Sequence, residues 1–323
     1  MTRGKIASGL RSLAETRSIT GVRWKDHLLR RAANRARSRD ASNAHVRIER
    51  WVLEDANWQS IRANLGHPGQ RTNLELCPDI YDYRFAEEGT LVVDFADRHV
   101  GGGCFTSEAF GVSEQLVAQS AEYAVCLTHG KYELGDDDAF TFQGVAIDQW
   151  WPREAAAREG WLRWQDVGDF CSKPLTIIAV NAPSMVSEWA YDETNAQSLQ
   201  SLAKRTLLVF KAADVLGVPS VYSGLLGGGA YCGNRPLALL LHLLLKPDNT
   251  VLKLHHPILW TWSTYTVQCM EARLTCIVDG MLAELRNKRV VTLGDALNEI
   301  LKWRLATSHC DRDILAEGRW QEN

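Results

Sequence analysis

The 323-residue chain has eight cysteines (Cys77, Cys104, Cys126, Cys171, Cys232, Cys269, Cys276 and Cys310), but no two are spaced as a CxxC pair. That spacing argues against a structural zinc site and a disulfide framework, and the cysteines read as free thiols of a reducing compartment. A cytoplasmic or otherwise intracellular location is expected, and a secreted effector stays open. No run of about eighteen apolar residues occurs, so no transmembrane span is expected. The first residues lack the apolar core of a signal peptide. The net charge of −3 gives no general attraction to nucleic acid. There is no internal repeat and no low-complexity tract. Neither GxGxxG nor a Gly-Lys-Ser/Thr ending follows a strand, which sets aside the ordinary dinucleotide fold and the P-loop.

Two glycine loops are present. Leu91 to Phe95 is an apolar run that reads as a buried strand, followed by Asp97 and then Gly101-Gly102-Gly103. Consecutive glycines let backbone amides turn outward and a ligand approach closely, a common way to hold a phosphate. Asp94 and Asp97 beside such a site would repel a phosphate unless a sugar hydroxyl or a cationic group compensates. The pattern recurs at Val221 to Ser223, where a strand leads into Gly224-Leu225-Leu226-Gly227-Gly228-Gly229-Ala230-Tyr231 and the apolar helix Arg235 to Leu245. Strand, glycine loop and helix present amides and a helix N-terminus to a diphosphate.

The segment VDFADRHVGGG followed by GVSEQ resembles the signature of the poly(ADP-ribose) glycohydrolase macrodomains, which carry VDFAN, a GGG loop and Gln-Glu-Glu. LTIIAVNAP (175 to 183) and SGLLGGGAYCGNRPLALL resemble that family's later strand, second glycine loop and following helix. The similarity spans roughly residues 80 to 250 and implies an α/β fold: a macrodomain-like mixed central sheet flanked by helices. It implies ADP-ribose as ligand. The positions it places against that ligand are Asp94, Phe95, Gly101, Gly102, Gly103, Ser113, Gly227, Gly228, Gly229, Ala230 and Tyr231, the last an aromatic able to stack on a sugar or base.

Two departures bear on the reaction. Asp97 stands where the family has Asn, and Gln-Glu-Glu reads Ser113-Glu114-Gln115. By direct register Gln115 takes the place of the glutamate credited with catalysis; a shift of one residue puts Glu114 there. A carboxylate can stabilise the oxocarbenium-like transition state of glycoside cleavage, activate water or protonate the leaving group. Glu114 and Asp97, supported by Asp94, are the catalytic candidates. The extra negative charge at Asp97 suits a cationic leaving group, and a guanidinium pairs well with carboxylates. This resembles a divergent effector macrodomain that strips ADP-ribose from arginine of ubiquitin. The expected partner is therefore an ADP-ribosylated protein, ubiquitin among the options, with mono-ADP-ribosyl-arginine as the linkage. Three alternatives remain: a poly(ADP-ribose) glycohydrolase, an inactive ADP-ribose reader, and a nucleoside-diphosphate-sugar enzyme.

No cofactor and no metal is expected. Asp136-Asp137-Asp138 reads as a solvated acidic loop, and His99 as a packing histidine. The basic residues among 1 to 39 read as a solvated helical face. The chain is expected as a helical N-terminal extension packed on the core (1–75) and a macrodomain (76–323). Helices are predicted over Ile6 to Arg39, Val46 to Ala63, Glu114 to Tyr123 and Ala196 to Leu216, with two more between 264 and 306. Strands are predicted at Leu91 to Phe95, Ala124 to Thr128, Gly144 to Ile147, Leu175 to Val180, Val221 to Ser223 and Val251 to Leu254.

Overall fold

The computed structural model describes residues 1–16, 20, 23–39, 44–54, 56–66, 73–77, 83, 86–96, 98–105, 112–150, 168–169, 172–182, 196–226, 235–255 and 264–303. Two helices come first, α1 (Arg3–Glu15) and α2 (Arg23–Ser38). The strands are β1 (Arg47–Val52), β2 (Leu74–Cys77), β3 (Thr90–Ala96), β4 (Asp138–Val145), β5 (Gln149–Trp150), β6 (Gly168–Asp169), β7 (Leu175–Asn181), β8 (Ser220–Ser223) and β9 (Val251–His255). The later helices are α3 (Val112–Gln119), α4 (Ala121–His129), α5 (Ala196–Val215), α6 (Arg235–Leu245), α7 (Thr264–Asn287) and α8 (Leu293–Ile300).

Among the described residues, seven strands form one sheet in the order β1-β4-β7-β3-β8-β9-β2, while β5 and β6 pair separately. Strands β7, β3, β8, β9 and β2 are parallel neighbours, and β4 runs antiparallel to both β7 and β1. The mixed α/β architecture is thus as expected.

Alternation along the strands divides the core. Leu91 and Val93 of β3, with Ile178 and Val180 of β7, face a layer formed by α5, α6, α7 and α8. Val92 and Ala96, with Ile177 and Ala179, face the opposite layer of α1, α2, α3 and α4. A strand buried on both faces reads as a continuous apolar run, which is why β3 and β7 stand out in the sequence. Local signals set several helix starts. Pro236 sits in the first turn of α6, where a missing N–H costs nothing. Thr292 and Asp295 close a capping box on α8.

Three sequence expectations change. The segment Val46 to Ala63, predicted as a helix, carries β1 instead. Its mixture of charged and apolar residues fits either period, and pairing with β4 from Arg47↔Gln143 to Val52↔Asp138 decides it. Ala124 to Thr128, predicted as a strand, lies inside α4. The apolar run is too short to distinguish the two, and Ser120, whose hydroxyl accepts from Tyr123 N at 3.3 Å, starts a helix. The strand predicted at Gly144 to Ile147 begins earlier, at Asp138, and ends at Val145. The sheet also draws β1 and β2 from residues 47–77, so a boundary at residue 75 falls within a strand of the central sheet.

Candidate functional site

β3 is the middle strand, and its parallel neighbours β7 and β8 end on the same side. Ligand sites of open α/β sheets lie beyond the carboxyl ends of such strands. The chain leaving β3 forms the first glycine loop there. The chain leaving β8 after Ser223 enters the second, so two segments more than a hundred residues apart in sequence start side by side, with Leu91 paired to Val221 and Val92 to Tyr222. Asp97 and the second-loop residues Gly227, Gly228, Gly229, Ala230 and Tyr231 lie outside the described residues.

The first loop is a compact double turn. Gly102 N donates to His99 O at 2.9 Å and Cys104 N to Gly101 O at 3.1 Å. Gly101 and Gly102 adopt φ of +85° and +53°, the left-handed region that glycine enters freely. Gly103 N donates to Glu114 Oε1 at 2.8 Å. The amides of Gly102 and Gly103 are thus engaged within the protein, and Gly103 holds the carboxylate of Glu114.

This contact distinguishes Glu114 from Gln115. Both sit in the first turn of α3. Glu114 reaches back to the loop and retains 8% exposure, whereas Gln115 is completely buried. A Cβ added at Gly102 would overlap Glu114 Oε1, so carboxylate and loop backbone are in close contact. Ser113 is also buried, and its Oγ has no hydrogen-bond partner among the described residues.

Asp94 is fully buried on the α3–α4 face of β3. Tyr123 of α4 donates its hydroxyl to Asp94 Oδ2 at 2.6 Å. Burial, and next the neighbouring Asp94 carboxylate, hold the Tyr123 phenol well above its ordinary pKa, so it stays a donor. Asp94 thus ties the end of β3 to α4. Phe95, the next residue, points to the opposite face and packs against the α5–α8 core.

One residue beside the loop was missed by sequence reasoning. Lys25, in the first turn of α2, is completely buried, and its ammonium lies 3.4 Å from Gly103 O. The basic composition of the N-terminal segment predicts a solvated face. Its sequence did hold a signal: Lys25 begins the stripe 25, 28, 29, 32, 33, 36, whose other members are Leu28, Leu29, Ala32, Ala33 and Ala36, all buried. That is helical spacing, and it puts Lys25 on the core face. The charges meet around Cys104. Burial pushes this thiol up to about 12; the positive charge of Lys25 opposes the rise, and Glu114, Asp94 and Asp26 add to it. A thiol so held is no nucleophile.

The remaining candidates resolve into structural roles. Asp136 is ion-paired with the buried Arg205, Asp137 with Lys204 at 2.9 Å, and Asp138 with Arg50, whose Nε lies 3.1 Å away. Cations already neutralise the acidic run, and no group of three or more potential metal ligands exists among the described residues. His99 is 66% exposed rather than packed. Just beyond α2, Arg39 donates to Glu122 Oε1 at 2.7 Å and to Asp148 Oδ1 at 3.0 Å, both carboxylates being buried. α2 is therefore tied to the core by a cation at each end, Lys25 and Arg39.

No family model matches the chain, and no curated protein matches it. Among solved structures it is similar to the poly(ADP-ribose) glycohydrolase of Thermomonospora curvata, at 17% identity over 84% of this chain and 98% of that one, with a TM-score of 0.45. It is also similar to the poly(ADP-ribose) glycohydrolase of Deinococcus radiodurans solved with ADP-ribose, at 17% identity over 64% of this chain and 85% of that one, with a TM-score of 0.44.

Proposed function

We propose that the protein is an ADP-ribosyl hydrolase that holds ADP-ribose beyond the carboxyl ends of β3 and β8 and cleaves the glycosidic bond of the distal ribose on a modified protein, with mono-ADP-ribosyl-arginine as the linkage. The observation that carries this reading is the placement of Glu114: its carboxylate is fixed by Gly103 N–H against a glycine loop at the end of the central parallel strand. The resemblance of VDFADRHVGGG and the second glycine segment to the glycohydrolase signature supplies the ligand class.

Cleavage passes through an oxocarbenium-like state at the anomeric carbon. A fixed carboxylate favours that cation because it needs no reorganisation as charge develops. As the C–N bond breaks, its electron pair leaves with the guanidine nitrogen. Water adds to the anomeric carbon, and its proton returns to the guanidine, giving ADP-ribose and arginine. Glu114 is the group that stabilises the cation or accepts the water's proton. Asp97 is proposed to pair with the guanidinium, and Asp94 to hold the end of β3 through Tyr123. The protein partner is an ADP-ribosylated protein, ubiquitin being one option.

The test is release of free ADP-ribose, followed by mass spectrometry, from poly(ADP-ribose), arginine-linked and acidic-residue-linked mono-ADP-ribosyl protein. Release from the arginine substrate alone supports the proposal. Release from the polymer replaces the substrate class. Binding of ADP-ribose with no release from any of the three makes the protein a reader.

A further inference from the structure

Gly103 is gripped from both sides. Its N–H is held by Glu114 at 2.8 Å, and its carbonyl faces the Lys25 ammonium at 3.4 Å. The second distance is at the long end for a hydrogen bond, but Lys25 is wholly removed from water, where the attraction between its amine and a carbonyl dipole is least screened. The Cys104 thiol, next along the loop, senses Lys25 together with Asp26 of α2, Asp94 of β3 and Glu114 of α3, so these groups share one buried neighbourhood.

We propose that Lys25 is a positioning residue of the active-site loop: through the Gly103 carbonyl it fixes the glycine turn whose amide fixes Glu114. The N-terminal helix pair is then a working part of the site. Lys25 need not touch substrate. It sets the geometry of the residue that does, and displacement of a reacting group by about an ångström costs on the order of 100-fold in rate. In its role for turnover this rests on the hydrolase reading; in its role for the loop it does not.

The experiment uses the full chain with K25M and K25R and reads two quantities. The first is kcat and KM for ADP-ribose release from arginine-modified protein. The second is the iodoacetamide labelling rate of Cys104 and Cys126, measured by peptide mass spectrometry. Both thiols are buried on the same side of the sheet, but Cys104 ends the glycine loop and Cys126 lies within α4. K25M is expected to lower kcat by on the order of 100-fold with KM changed little. It should also speed labelling of Cys104 while Cys126 stays protected. K25R keeps the cation and donors and is expected to stay near wild type in both. Unchanged kcat together with unchanged Cys104 labelling in K25M would overturn the proposal. So would equal labelling of both thiols, which signals loss of the whole helical layer. If wild type releases nothing from any substrate, the hydrolase reading falls, and the Cys104-to-Cys126 ratio still decides whether Lys25 positions the loop.

Discussion

The hydroxyl of Tyr123 and the carboxylate of Asp94 meet at 2.6 Å between α4 and β3, with both side chains wholly removed from solvent. A buried carboxylate oxygen deprived of its donor bears a desolvation penalty of about 1–3 kcal/mol. Tyr123→Phe should therefore lower the unfolding free energy by about that amount, measured by urea denaturation at neutral pH. An unchanged midpoint and slope would show that the bond contributes nothing to stability.

Glu114→Gln is the direct test of the catalytic assignment. The amide oxygen of Gln can still accept from Gly103 N–H, so the loop should keep its shape. General acid–base groups contribute about 10²- to 10⁴-fold, and a loss of ADP-ribose release in that range is expected while calorimetric affinity for ADP-ribose persists. Activity within a few-fold of wild type would remove Glu114 from the mechanism.

Gly102→Ala acts on the same carboxylate from the other side. The new methyl would overlap Glu114 Oε1, and φ of +53° disfavours a side chain there. A loss of turnover comparable to that of Glu114→Gln is expected, with far-ultraviolet circular dichroism unchanged. Gly4→Ala, on α1 in open space, is the matched control and should be silent.

Asp148 governs a pH effect. Burial, chiefly, raises its carboxyl from 3.8 to about 7; nearby Glu122 adds to the rise, and Arg39 opposes it. The folded protein thus keeps a proton that the unfolded chain has released between those values. The group's contribution to stability is full below the lower value and is lost as pH rises through about 7. Denaturation midpoints compared at about pH 5 and about pH 8 should fall for wild type and fall less for Asp148→Asn. Glu122, also raised by burial, retains part of the slope. Equal slopes for the two proteins would remove Asp148 as the source.

The parts of this molecule that were legible were those whose pattern has one physical solution. β3 and β7 are apolar runs whose β-branched residues favour a doubly covered strand, and α6 carries its proline and its length openly. β1 was illegible because Arg47 to Val52 suits either period, and its partner lies some ninety residues on, at Asp138 to Gln143. The site was half legible. The glycine triplet announced its backbone freedom, but not that Glu114 would occupy two of its edges. That Glu114 rather than Gln115 reaches the glycine loop depends on the rotation of α3 about its axis, which one turn of sequence does not specify. Lys25 was hidden by its company, since eleven basic residues among the first thirty-nine suggest a wet surface; only the stripe it begins marks it as internal.

β1 and β2 follow one another in the chain yet form opposite rims of the sheet. As the polypeptide emerges from a ribosome, both rims are made before any interior strand exists. β1 waits for β4, and β2 waits for β9, with Leu74 finally set beside Leu252. Each rim spends that interval without a strand partner, the condition under which strand edges recruit other chains. Long-range pairing of this kind is slow to form, so the β1 border can close once β4 has been made, whereas the β2 border waits for β9, the last of the described strands.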